Sequence, residues 1–323
     1  MSLSGRIDTG IAGDPVASPR GGIAKPRRLQ SVTVTRRSIE REAVIAGSRT
    51  RWWEYEPVEG HEPAPGAIVV VHGFRGDHHG LKRVIELLPG HRFIAPDLPG
   101  YGGSAPLPRE HSVRAYADWL IEFASATSQR PFVVLGHSFG TIVTATAIDR
   151  GLQPDRTILI NPIAAPPLAG AQAIGGGLVR ALYALGGALP RRWGERLLRS
   201  RLITDGMSLL TTTTRDRELR RWIREEHRRY FSGFRERRVA TEGFEASLSD
   251  YVTPHAAALT MPTLLIGAAR DQITPVRDVE ALRERIPGAE LVLLEDVGHL
   301  IHYERPEDAA AAIRAFLAAR IPA

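Results

Sequence analysis

Gly136-His137-Ser138-Phe139-Gly140 has the form G-x-S-x-G. It closes an apolar run at 132–136 and opens a helical pattern that starts near Phe139. In that setting, a strand, a sharp turn and then a helix, the pentapeptide marks a serine raised on a strained turn at the C-terminal edge of a sheet. Glycines suit the flanking positions because side chains there would collide across the turn. A serine hydroxyl is a weak nucleophile until a neighbouring base takes its proton. His299, in Asp296-Val297-Gly298-His299, is the candidate base, since it falls in the loop directly after the last apolar run at 291–294. His302 is the rival, and 11 histidines leave room for coincidence. An imidazole base needs a carboxylate to fix its tautomer and stabilise its charged form. Asp271, just past the run 263–267, is the candidate; Asp296 and carboxylates nearer the serine are its rivals. After the run 157–160 the chain offers Asn161, which is not a carboxylate.

Acyl transfer also needs N–H donors aimed at the developing oxyanion. The loop His72-Gly73-Phe74-Arg75-Gly76 follows the run 67–71 and supplies one at Phe74; the other belongs to Phe139, directly after the serine. Gly73, which lets the backbone approach closely, and His137 are read as substrate-binding. His78-His79 lie just beyond and are read either as residues of a pocket mouth or as solvated residues at a helix start. Two adjacent histidines are a weak metal signal, and no metal is expected.

Short apolar runs must position these groups. Those at 67–72, 93–97, 132–136, 157–160, 263–267 and 291–294 read as buried strands. Helical patterns lie between them at 79–88, 111–128, 139–150, 277–286 and 306–319, the last with Ala311, Ile313, Phe316 and Leu317 as its apolar side. Alternating strands and helices imply a parallel sheet covered on both faces. Two extended segments, 31–37 and 49–56, suit antiparallel strands on one edge. From Asn161 to Pro262 there is no convincing strand, and a stretch that long is not a loop. It reads as an inserted helical lid over 162–255, with an apolar stripe of Leu178, Leu182, Leu185 and Leu189. The lid's Tyr183, Trp193, Trp222, Tyr230 and Phe231 are candidates to face a substrate. Trp52 and Trp53 alternate faces if extended, so one of them belongs to the core.

The 323 residues contain no cysteine, which removes disulfides, thiol catalysis and Cys-ligated metals together. The formal charge is +6, and all but Lys25 and Lys82 of the 42 basic residues are arginine. Residues 1–51 and 191–245 each carry a net +6, and the remainder carries −6. That division reads as a basic tail and a solvated Arg/Glu helical face rather than a nucleic-acid footprint, so no nucleic-acid partner is expected. Lid arginines turned into the cleft would favour an anionic substrate; turned to solvent, they say little about function. Residues 1–30 lack the apolar segment of a signal peptide and read as a flexible tail, and a cytoplasmic location is expected. The uncharged run 157–179 is long enough to span a membrane, but Pro162, Pro166 and Pro167 argue against a continuous helix, so no stable membrane insertion is expected.

The chain resembles the α/β-hydrolase superfamily, whose members include esterases, lipases, proline iminopeptidases, C–C bond hydrolases, haloalkane dehalogenases and epoxide hydrolases. The resemblance rests on His72-Gly73, the segment from Asp97 to Ser104, Gly136 to Gly140, Asp271 with Pro275, and Gly298-His299 followed by Glu304-Arg305-Pro306. It covers about residues 67–320 and leaves the first 45 unexplained. It implies a mostly parallel eight-stranded sheet flanked by helices, with a helical cap between the sixth and seventh strands, and no cofactor. The core is then 31–161 with 256–323. The order Ser138, Asp271, His299 is the one this fold uses. Ser138 argues against the dehalogenases and epoxide hydrolases, which use an aspartate nucleophile. Phe74 departs from the Gly-Gly-Gly oxyanion loop of some lipases, and Phe139 from the tryptophan usual in iminopeptidases.

The expected function is hydrolysis of an ester or thioester through an acyl-enzyme on Ser138. Its substrate is a small molecule with an apolar acyl or aromatic part, taken up by a monomer or homodimer. A C–C bond hydrolase of β-diketone type, a cofactor-free haloperoxidase, an acyltransferase and a noncatalytic ligand-binding protein remain open on the same scaffold.

Overall fold

A computed structural model describes residues 36–166, 173–231 and 233–319. Its sheet begins with a hairpin, β1 (Ser38–Ile45) and β2 (Ser48–Tyr55), followed by β3 (Ala67–Val71), α1 (Lys82–Glu86), β4 (Arg92–Pro96), α2 (Val113–Thr127), β5 (Phe132–His137), α3 (Phe139–Asp149) and β6 (Arg156–Ile160). Five helices come next: α4 (Ala173–Ala188), α5 (Arg191–Leu198), α6 (Arg201–Thr211), α7 (Arg217–Tyr230) and α8 (Arg237–Ser249). A short 3₁₀ turn at Thr253–Ala258 leads to β7 (Thr263–Ala268), α9 (Val276–Arg285), β8 (Glu290–Leu294), α10 (Ile301–Glu304) and α11 (Pro306–Ala318).

The eight strands are ordered β1-β2-β4-β3-β5-β6-β7-β8. β1 and β2 pair antiparallel, as do β2 and β4; the other neighbours are parallel. Every residue of β3 is buried, because a strand inside a parallel sheet faces helices on both sides. One apolar layer joins α2 and α3 to Val69, Val71 and Leu159; the other joins α1 and α11 to Ile68, Val70 and Ile158. α2 starts where Ser112 accepts the N–H of Ala115, and it buries Tyr116, Trp119, Leu120 and Phe123. Each such side chain contributes about 1.5–3 kcal/mol of transfer free energy.

The first edge strand differs from expectation. Ser38–Ile45, not 31–37, pairs with β2, and residues 31–35 lie outside the described residues, as does the tail expected over 1–30. Trp52 is core and packs edge-on to Phe123, whereas Trp53 lies on the other face against His78. In α11 the buried side is Ala309, Ala310, Ile313 and Phe316; Ala311 is exposed, being two residues from Ile313 and so on another face. Of the run 157–179, residues 157–160 belong to β6 and 173–179 to α4, and 167–172 lie outside the described residues. Among the described residues, no helix is long and apolar enough to cross a membrane.

The insertion between β6 and β7 folds as two neighbouring groups, α4 with α5 and α8, and α6 with α7. The expected leucine stripe of α4 does not form its inner face: Leu178 and Leu185 are 67% and 49% exposed. Tyr183 and Gly186 are buried instead, and Val179 half-buried.

Candidate active site

Ser138 stands between β5 and α3 with φ 52° and ψ −120°, a sparsely populated positive-φ backbone that costs a non-glycine residue about 1–3 kcal/mol. The turn is tight enough to require its glycines. A Cβ on Gly136 would sit 2.6 Å from the Gly140 carbonyl oxygen, and one on Gly140 would overlap the Val71 carbonyl. The Ser138 N–H donates to Ile160 O at 3.0 Å, which fixes the turn to the neighbouring strand.

His299 Nε2 lies 2.8 Å from Ser138 Oγ. Its Nδ1 lies 2.9 Å from Asp271 Oδ2 and 3.2 Å from Oδ1, the arrangement in which Nδ1–H donates to the carboxylate and Nε2 faces the hydroxyl. Asp271 Oδ1 also accepts the N–H groups of Ile273 (2.8 Å) and Thr274 (3.1 Å), and Oδ2 accepts Thr274 Oγ1–H (2.7 Å). Burial alone would raise its pKa, but the charge on His299 and these hydrogen bonds outweigh it and hold the carboxyl at about 2.

The rivals sit elsewhere. Asp296 pairs with Arg270 at the surface. His302 packs against His137, ring centroids 4.1 Å apart, and is not hydrogen-bonded to Ser138. Burial and neighbouring histidines push His302 well below its ordinary value, and the same causes bring His137 to about 3.

Ser138 and His299 open into a cavity of about 480 Å³ between the C-terminal edge of the sheet and the insertion. Phe74, Phe139, Ile163, Val179, Tyr183, Phe244 and Leu248 form much of its apolar wall, and Gly73 and His137 line it too. A Cβ on Gly73 would come within 3.1 Å of His137 Nδ1 and 3.3 Å of Ser138 Cβ, so the glycine keeps this approach open. The backbone N–H groups of Phe74 and Phe139 have no intramolecular acceptor among the described residues. Among the described lining residues no arginine or lysine occurs, and Asp77 is the one formally charged group. None of the insertion's described arginines lines the cavity.

Of the five aromatic residues singled out in the insertion, Tyr183 and Phe231 line the cavity. Trp193 is exposed, Trp222 packs edge-on to Tyr303, and Tyr230 stacks on His79. His78 and His79 do not line the cavity. The Nδ1 of His78 is held by Asp97 at 2.8 Å and that of His79 by Asp77 at 3.0 Å. Asp77, His78 and His79 bring metal-type donor atoms within 4.8 Å of one another, yet these bonds already serve to order the loop.

Two residues that hold the site, Asn161 and Thr213, and one that lines its cavity, His227, escaped the sequence reading in these roles. Asn161 donates Nδ2–H to Asp271 Oδ2 at 2.8 Å. Thr213, between α6 and α7, accepts the Gly298 N–H at 2.9 Å and donates Oγ1–H to Glu304 at 2.6 Å, which ties the insertion to the His299 loop. His227 faces the cavity from α7, with burial holding its pKa at about 4. Only Asn161 had a sequence signal, its place at the end of a strand beside the one that leads to Asp271.

A family model described as the alpha/beta hydrolase family matches residues 68–313. The chain belongs to the alpha/beta hydrolase family. Similar hydrolases include epoxide hydrolase A of Mycobacterium tuberculosis, 24% identical over 305 residues, 80% of this chain and 92% of that one. Lipase LipV of the same organism is 28% identical over 262 residues, 79% of this chain and 95% of that one. An esterase from Exiguobacterium antarcticum superposes with a TM-score of 0.69 at 17% identity, covering 87% of this hydrolase and 100% of that chain, a likeness of fold.

Proposed function

We propose that this α/β-fold hydrolase cleaves uncharged esters or thioesters with an apolar acyl or aromatic part, through an acyl-enzyme on Ser138. The observation that carries the reading is the hydrogen-bonded series Ser138–His299–Asp271 on the wall of an apolar cavity. His299 Nε2 takes the Ser138 proton as Oγ bonds to the substrate carbonyl carbon. The carbonyl oxygen becomes an oxyanion, which the N–H groups of Phe74 and Phe139 receive; the latter opens α3 and adds the positive end of a helix. Ionised Asp271 stabilises the imidazolium. The tetrahedral adduct collapses, the C–O or C–S bond to the leaving group breaks, and His299 gives it the proton. Water then attacks the acyl-enzyme, with His299 again as base and then as acid, and the free acid and Ser138 are restored.

The lining argues for a neutral substrate, since among the described residues no lining arginine or lysine is available to a carboxylate and Asp77 would repel one. Ser138 in place of an aspartate argues against epoxide opening, despite the similarity to an epoxide hydrolase. Ser138→Ala should abolish turnover of p-nitrophenyl esters; undiminished turnover would sink the assignment. A panel of neutral esters, thioesters and β-diketones, with acidic counterparts of each, then identifies the bond cleaved and the charge tolerated.

A further inference from the structure

Arg75 follows Phe74 in the oxyanion loop, and its φ of 63° turns the backbone into the left-handed region. Its side chain is directed into the insertion and is 1% exposed. Nε–H donates to Phe231 O at 3.0 Å, Nη1–H to Tyr183 Oη at 2.7 Å, and Nη2–H to Leu198 O at 2.9 Å. Phe231 caps the C-terminus of α7 and Leu198 is the last residue of α5, so two of these acceptors belong to the negative ends of helices. Phe231 and Phe234 present their rings to the guanidinium, each with its centroid 5.5 Å from Cζ. One rigid fork thus reaches α4, α5 and the end of α7 together, which a lysine could not do.

The same contact returns to the cavity. Tyr183 stacks on Phe244 at 4.0 Å, and the ring of Phe74 lies 6.1 Å from Tyr183 and 6.2 Å from Phe244. Phe74 is therefore held from two directions, by its own ring and by the anchored residue that follows it. On the other side of Ser138, Thr213 ties the insertion to the His299 loop. The insertion grips both flanks of the serine.

We propose that Arg75 is a positioning residue that couples the seating of the helical insertion to the placement of the Phe74 N–H in the oxyanion hole. The inference rests on the serine-hydrolase reading and on Phe74 as an oxyanion donor. With the insertion seated, these hydrogen bonds fix Arg75 and so aim the Phe74 N–H at the oxyanion. With the insertion displaced, Arg75 loses its acceptors and the loop loses its register.

The test compares wild type with Arg75→Met, Arg75→Lys and Tyr183→Phe on a p-nitrophenyl ester and on a trifluoromethyl ketone, which forms an oxyanion adduct with an active serine. Arg75→Met should lower kcat by about 100-fold, the scale of losing one oxyanion donor, with KM changed far less. Affinity for the trifluoromethyl ketone should fall in parallel, and the pH profile should keep its midpoint because His299 is untouched. Arg75→Lys should not restore the rate, and Tyr183→Phe, which removes only the bond from Nη1–H, should show a smaller loss of the same kind. If Arg75→Met does not fold, Tyr183→Phe decides. Wild-type kcat and inhibitor affinity in folded protein, with only a lowered Tm, would make Arg75 merely structural and overturn the proposal. An ester activity that survives Ser138→Ala, or a wild-type protein that forms no trifluoromethyl ketone adduct, would instead overturn the serine-hydrolase reading beneath it.

Discussion

The side-chain amide of Asn161 donates to Asp271 Oδ2 at 2.8 Å from the end of the neighbouring strand. Asn161 has a φ of 48°, one of five non-glycine residues described with positive φ, and Ser138 is another. Two strained residues thus end adjacent strands, one carrying the hydroxyl and the other steadying the carboxylate. The amide leaves Asp271 ionised and fixes the oxygen that His299 meets.

Replacing that amide should expose its role. Asn161→Asp sets a second carboxylate beside Asp271, and two like charges at this distance cannot both ionise easily. The pair should retain a proton to higher pH, so the acid limb of the kcat/KM profile should move upward. Asn161→Ala removes a hydrogen bond to a charged group, worth about 1.5–3 kcal/mol, and should lower kcat/KM by about 10-fold or more. An Asn161→Asp profile superimposable on wild type would dismiss the amide as a bystander.

The turn glycines should be intolerant for a different reason. Gly140→Ala drives a methyl into the Val71 carbonyl and Gly136→Ala one to 2.6 Å from the Gly140 carbonyl. Both obstacles are backbone, so β3 or α3 must shift. Each substitution should cost at least about 1–3 kcal/mol, measured by urea unfolding, and activity should fall with the geometry of Ser138. Wild-type stability in both variants would refute the close approach.

The elbow, the strands from β3 to β8 and the serine, histidine and aspartate were legible because each rests on local pattern: continuous apolar runs, a glycine-flanked serine, and loops directly after strands. The first edge strand was not. Ser38–Ile45 carries Glu40, Arg41 and Glu42 in an exposed ribbon, so neither alternation nor an apolar run announces it. The inner face of α4 was hidden for another reason. Its leucines are the residues a core would want, yet Leu178 and Leu185 face outward because Tyr183 is claimed by Arg75 and Phe244. Arg75 and Thr213 act through partners 108 and 85 residues away, distances at which no sequence spacing helps.

Thr213 gives a conservative test of the second anchor. Thr213→Val keeps the shape but removes the acceptor of the Gly298 N–H and the hydroxyl donor to Glu304 Oε2, while the backbone N–H at 213 still donates to Glu304 Oε1. A buried N–H left without a partner costs about 1–3 kcal/mol. The loop before His299 should loosen, and kcat should fall by roughly 10-fold or more if that cost falls on the reactive alignment. A drop in Tm with an unchanged kcat would confine Thr213 to stability.

His227 sets the sign of a pH effect. Burial lowers its pKa from the ordinary 6.5 to about 4. The folded protein therefore keeps it neutral at pH values where the unfolded chain binds a proton. Between about pH 6.5 and 4 the unfolded state holds more protons, so stability rises with pH and is lost on acidification. At pH 5 this one residue should account for about 2 kcal/mol of the loss relative to pH 7.5, from about 1.4 kcal/mol per pH unit. His137 and His302, also depressed by burial, add losses of the same sign. His227→Phe fills the space between Phe231 and Tyr303 with a ring that does not titrate. Urea unfolding at both pH values should show a shallower decline in His227→Phe than in wild type, by about 2 kcal/mol. Equal declines would mean that the imidazole gains its proton without unfolding, through water reaching it in the cavity.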